Sequence, residues 1–168
     1  QGIDAKNLVF VDESGVHLGM TRTHARSKRG SRAHGHSPSK RGQNVSIVGA
    51  MALTGMLCFY SILGAYNTLT FDAFIINCLV PLLWEGAWVI IDNCSIHKSD
   101  ELRQAIESVG AKLIFLSPYS PDFSPIENCW SKMKSNLNKL EARTYPDLID
   151  AIEQSLNSVT TEDIRNWF

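Results

Sequence analysis

Between Trp88 and Leu116 the chain reads strand, helix, strand, and this order constrains the fold more than any other feature. Trp88-Val89-Ile90-Ile91 is an apolar run ended by Asp92, the pattern of a strand covered on both faces. Ser99 then caps a helix with Asp100 and Glu101 in its first turn, where negative charge suits the helix dipole. Its apolar stripe is Leu102, Ala105, Ile106 and Val109, and Gly110 stops it. Lys112 to Leu116 forms the next strand. A strand that returns through a helix to its neighbour makes a right-handed crossover, so the two strands run parallel. Open sheets of this kind bind ligands beyond the carboxyl ends of their parallel strands.

The remaining elements extend that sheet. Leu8 to Asp12 reads as a strand closed by a turn at Glu13-Ser14-Gly15, and Val16 to Met20 as a short further strand. Asn44 to Leu53 and Leu57 to Leu63 form a hairpin about Thr54-Gly55. Thr70 is placed to cap a helix from Phe71 to about Leu83. A long helix follows from about Pro125 to Leu140, with Ile126, Trp130, Met133, Leu137 and Leu140 facing inward. Thr144 and Thr161 cap helices over Pro146 to Leu156 and Glu162 to Phe168. The expected fold is α/β, a mixed five-stranded sheet, three antiparallel strands then two parallel, flanked by helices. At 168 residues it is a single domain spanning 1–168.

The longest apolar stretch, Phe71 to Trp84, is broken by Asp72, Asn77 and Pro81, so no membrane span is expected. No secretory signal opens the chain, and a cytoplasmic protein is the expectation. Cys58, Cys78, Cys94 and Cys129 form no CxxC pair, which argues against a structural zinc site. Motifs of serine hydrolases, zinc proteases and nucleotide hydrolases are absent.

Charge is distributed unevenly along a nearly neutral chain. From Ser14 through Phe71 there is no Asp or Glu, yet the stretch holds Arg22, Arg26, Lys28, Arg29, Arg32, Lys40 and Arg41. Thr21 to Gly42 has almost no apolar content, so it forms a long loop rather than core. A segregated basic segment is the footprint of a polyanion partner, or else a solvated surface loop.

Three acids stand out. Asp12 and Asp92 each end an apolar strand, and Glu127 follows Asp92 after 34 intervening residues. Each also has a structural role open to it. Asp12 and Asp92 suit turns, and Ser124-Pro125-Ile126-Glu127 matches a capping box. Period two places Leu8, Phe10 and Asp12 on one face. If the strands that end in Asp12 and Asp92 are parallel neighbours, the helix that begins at Pro125 emerges at the same edge, and all three acids can reach one point. Carboxylates so gathered repel unless cations lie between them, which points to a divalent-metal site for phosphoryl transfer.

Three segments carry a resemblance: Phe10-Val11-Asp12-Glu13-Ser14, then Ile90-Ile91-Asp92-Asn93-Cys94-Ser95-Ile96-His97, then Ser117 through Asn128 with its Ser-Pro-Asp-Phe-Ser-Pro-Ile-Glu core. Together they resemble the DDE transposases of the mariner superfamily, in their bacterial insertion-sequence branch. The resemblance implies an RNase H-like catalytic domain and the triad Asp12, Asp92 and Glu127 holding two Mg²⁺ or Mn²⁺ ions. It implies cleavage and strand transfer of DNA at transposon ends, with a homodimer as the active complex. It makes about 16–42 an inserted loop that touches DNA and a partner subunit. His97 matches a family histidine; Asn93 and His97 are candidates to support the metal ligands, and Asp122 is a weaker candidate ligand. Lys132 and Lys134 could meet a DNA backbone. The family's N-terminal end-recognition region has no match in the chain, so sequence-specific end binding is not expected of it alone. An RNase H-like nuclease without strand transfer, or a non-catalytic DNA-binding or assembly module, are the alternatives.

Overall fold

The computed structural model describes residues 2–117 and 124–168. Five strands form one sheet in the order β3-β2-β1-β4-β5. Strand β1 (Leu8–Val16) pairs antiparallel with β2 (Val45–Ala52), which pairs antiparallel with β3 (Gly55–Leu63). On its other side β1 runs parallel to β4 (Trp88–Ile91), and β4 runs parallel to β5 (Lys112–Phe115). The mixed sheet and the crossover through helix α2 (Asp100–Ser108) agree with the sequence reading.

Period-two alternation splits the core into two layers. Phe10, Ile47, Met51 and Ile90 face α3 (Ile126–Leu140), α4 (Tyr145–Asn157) and α5 (Thr161–Trp167). Val9, Val11, Val48, Ala50, Val89 and Ile91 face α1 (Thr68–Phe74) and α2 on the opposite side. Helix α3 lays Ile126, Cys129, Trp130, Met133 and Leu137 against the sheet. Leu140, expected to face inward, is 48% exposed because it ends the helix.

Several local expectations are corrected. β1 does not stop at Asp12; it continues to Val16 because Glu13, Ser14 and Gly15 still find partners on β2. No strand covers 17–20, where the Gly19 N–H turns back to His17 Nδ1 at 3.0 Å. Asn67 rather than Thr70 caps α1, and the two residues form a reciprocal capping box. The expected long helix to Leu83 breaks into α1, a π-helical stretch (Ile75–Leu79) and a 3₁₀ turn (Val80–Leu82). Pro81 lacks the N–H that an α-helix would need there, so the chain widens and then tightens around it. Thr160, not Thr161, caps α5, again with a reciprocal partner in Asp163.

The basic segment is a loop without regular structure, as expected, and its ends are tied to the body. Leu18 N–H donates to the Arg41 carbonyl at 3.1 Å, closing the loop at its base. Arg143 Nη1 donates to the carbonyls of Leu18 and Met20, and Tyr145 Oη accepts from Gln43 N–H at 2.8 Å.

Candidate active site

The parallel register decides where two of the acids lie. Phe10 pairs with Ile90 as the last rung between β1 and β4. Asp12 and Asp92 each follow that rung by two residues, at the same end of the two strands, and Asp12 bonds to Trp130 of α3. Glu127 sits in the first turn of α3. Its charge reaches Asp12, as the charge of Asp92 does.

Asp12 is half-buried, and burial is the main force raising its carboxyl to about 6. The charges of Glu127 and Asp92 push in the same direction, against the Glu13 backbone N–H and the Trp130 indole. Trp130 Nε1 donates to Asp12 Oδ2 at 3.0 Å. Trp130 is 2% exposed and lies one turn beyond Glu127, so α3 supplies both an acid and the donor that orients Asp12. Gly49 makes room for it. It faces Asp12 across the β1–β2 ladder, and a Cβ there would lie 2.8 Å from Trp130 Cη2. A glycine inside a strand here marks the close approach of an indole.

Asp92 is exposed and is held by other means. Its Oδ1 receives the Cys94 N–H at 3.2 Å and His97 Nδ1 at 2.5 Å. The hydrogen bond from His97 is the main cause that lowers the Asp92 carboxyl below its usual value. His97 is buried, and burial works to lower its own value. Asp92 and Glu13 outweigh that and lift the imidazole to about 10. The neighbouring aspartates are therefore driven in opposite directions, Asp12 upward and Asp92 downward.

Glu127 is exposed, and no side chain caps α3. The expected capping box does not form, because Pro125 occupies the cap position and the Ser124 carbonyl accepts the Glu127 N–H at 3.1 Å. The Glu127 carboxylate is thus not consumed by its helix. Asn93 is exposed, and its side chain makes no hydrogen bond among the described residues. Asp122 lies outside the described residues. Lys132 is engaged by Asp163 in an ion pair that ties α3 to α5. Arg22, Arg26, Lys28, Arg29, Arg32, Lys40 and Arg41 are all exposed.

Among the described residues no three His, Cys, Asp or Glu side chains are gathered tightly enough to hold an ion as they stand. Asp12 is turned to Trp130 and Asp92 to His97. The donor set nevertheless fits a hard cation: all three are oxygen ligands, and Asp12 is raised partly by the charges of the other two acids.

A sequence profile described as DDE superfamily endonuclease matches residues 7–149. The chain belongs to the DDE superfamily endonucleases. Comparison with curated protein sequences gave no match. The DDE chain is similar in fold to a pre-cleavage Mos1 transpososome, with a TM-score of 0.79 at 15% identity, covering 96% of this chain and 52% of that one. Against the Mos1 strand transfer complex the TM-score is 0.74 at 16% identity, covering 97% and 50%. Against the Mos1 transposase catalytic domain with Raltegravir and Mg it is 0.74 at 13% identity, covering 98% and 77%. The RNase H-like expectation holds, and the DDE chain spans about half the length of the Mos1 chains in the first two of these structures.

The raised Asp12 carboxyl has a consequence for stability. Its folded value near 6 lies above the ordinary value of 3.8, so the folded state holds this proton more tightly. That contribution is fully present below about pH 3.8 and is lost as pH rises through 6. Asp12→Asn should therefore stabilise the metal-free protein at pH 8 by on the order of 2 kcal/mol. The gain should vanish by about pH 4. Thermal unfolding in chelator across this range checks it; a gain that does not depend on pH would mean that the carboxylate carries no such cost.

Proposed function

We propose that this DDE domain is the catalytic domain of a transposase that cleaves DNA at transposon ends and transfers the strand. One observation carries the reading: in a DDE chain, Asp12 and Asp92 each follow the last β1–β4 rung by two residues, and Glu127 opens the helix whose Trp130 bonds to Asp12. Asp12, Asp92 and Glu127 would hold two Mg²⁺ or Mn²⁺ ions, and Mg accompanies the Mos1 catalytic domain in a solved structure. Such ions, when bound, activate an attacking oxygen and stabilise the leaving oxygen of an in-line displacement. In the first reaction water attacks a phosphodiester at the element end, and the leaving 3′ oxygen takes a proton. The resulting 3′-OH then attacks a phosphodiester of the target.

The chain's own residues prepare this chemistry. Trp130 orients Asp12 from α3, while the backbone of Cys94 and the ring of His97 hold Asp92. The basic loop, an insertion at about 16–42, would bind the DNA backbone and help join two copies of the chain in a homodimer. Residues 1–168 would act as one catalytic domain, working on the bacterial nucleoid.

An assay offering intact and pre-cleaved transposon ends, Mg²⁺ and a target plasmid tests the reading. Joined product is expected. Cleavage without joining would make the domain a nuclease of the same fold, and neither activity would leave a DNA-binding or assembly module.

A further inference from the structure

We propose that His97 is the positioning residue for Asp92, and that Glu13 holds His97 in that role. The inference rests on the reading of Asp92 as a metal ligand. Asp92 lies past the last residue of β4, and its side chain is 55% exposed, so the sheet alone does not fix its rotamer. His97 does. It lies on a 3₁₀ turn (Ser95–His97), is 1% exposed, and is pinned on three sides.

Phe71 of α1 stacks on the imidazole with ring centroids 4.1 Å apart. Nδ1 meets Asp92 Oδ1 at 2.5 Å. Nε2 faces Glu13 Oε1 at 3.7 Å. That separation is longer than a hydrogen bond, and both atoms are buried with no hydrogen-bond partner among the described residues. Two buried polar atoms in this condition are costly unless they serve each other.

The arrangement also selects an oxygen. Both hydrogen bonds to the Asp92 carboxylate fall on Oδ1, from Cys94 N–H and from His97. Oδ2 has none among the described residues, and it is the oxygen left for an ion. β1 thereby serves the site twice. Asp12 reaches the α3 face as a ligand, and the next residue, Glu13, reaches the opposite face to hold the imidazole that orients the other ligand. Groups behind a metal ligand commonly set its affinity by about 10–100-fold.

Titration of the full chain with Mn²⁺, followed by electron paramagnetic resonance, tests the proposal without reference to activity. His97→Ala should weaken Mn²⁺ binding about 10–100-fold. His97→Asn places an amide N–H near the position of Nδ1 and should restore most of the affinity. His97→Gln places its amide near Nε2 instead and should not. Glu13→Ala should weaken binding less than His97→Ala. Equal affinities for the Asn and Gln variants would overturn the proposal, since packing alone does not distinguish them; this comparison holds even where the Ala variant does not fold. Asp92→Ala separates the two readings. If it binds Mn²⁺ as well as the native chain, the metal site itself is misassigned; if it loses binding while His97→Ala keeps it, only the positioning role fails.

Discussion

Glu127→Ala should abolish Mg²⁺-dependent cleavage, with a loss of at least about 10³-fold, as expected for a member of a constellation that acts as a unit. The fold should scarcely register the change. Glu127 is exposed, no side-chain cap depends on it, and the helix closes its first turn through the Ser124 carbonyl. Substitutions at such positions usually shift stability by about 0.5 kcal/mol or less. The test is cleavage of element-end DNA by the domain joined to an end-recognition domain, alongside thermal unfolding. Asp12→Ala and Asp92→Ala should be equally inactive, although Asp12→Ala also deprives the Trp130 indole of its acceptor. Full Mg²⁺-dependent cleavage by the Glu127→Ala protein would remove Glu127 from the site.

Charge reversal of Arg26, Lys28, Arg29 and Arg32 together should weaken DNA binding and flatten its dependence on salt. All four side chains are exposed, and none forms an ion pair among the described residues. Each phosphate that is no longer neutralised should reduce the slope of log affinity against log salt by about 0.9. Four such phosphates would reduce it by up to about 3.6. Folding should survive, because the loop is tied down at its base by Leu18, Arg41, Arg143 and Tyr145, not by its tip. Binding measured over a range of salt concentrations decides this. An unchanged slope would return the segment to a solvated surface, or leave it only a part in joining subunits.

The two aspartates are readable in the sequence because a buried parallel strand is a short apolar run, and the first acid that follows it is conspicuous. The crossover rule sets β4 parallel to β5 but does not reach β1, and the edge that Asp12 and Asp92 share depends on β1 lying parallel beside β4. The supports behind them are harder to find. By periodicity Trp130 is one more inward-facing residue of α3, and nothing in that spacing reveals a hydrogen bond across to β1. A signal exists in Gly49, a glycine inside an apolar strand, which marks a close approach but does not name the group that approaches. Glu13 looks like a turn residue while β1 is expected to end at Asp12. Its pairing to β2 cannot be seen without knowing the register. The π-helical break after α1 escapes for a related reason. Phe71, Phe74, Ile75, Cys78 and Leu79 keep a helical spacing that does not reveal how Pro81 displaces the turns around it.

Whether Asp12, Asp92 and Glu127 form one metal site can be seen in crystals soaked in Mn²⁺ and recorded near the manganese absorption edge. The expected map shows two anomalous peaks about 4 Å apart. One ion would touch both Asp12 and Asp92 through oxygens at roughly 2.1 Å, the distance of a small hard cation, and the second would touch Glu127. Manganese bound elsewhere, with none between Asp12 and Asp92 at saturating concentration, would show that the three acids do not form that site.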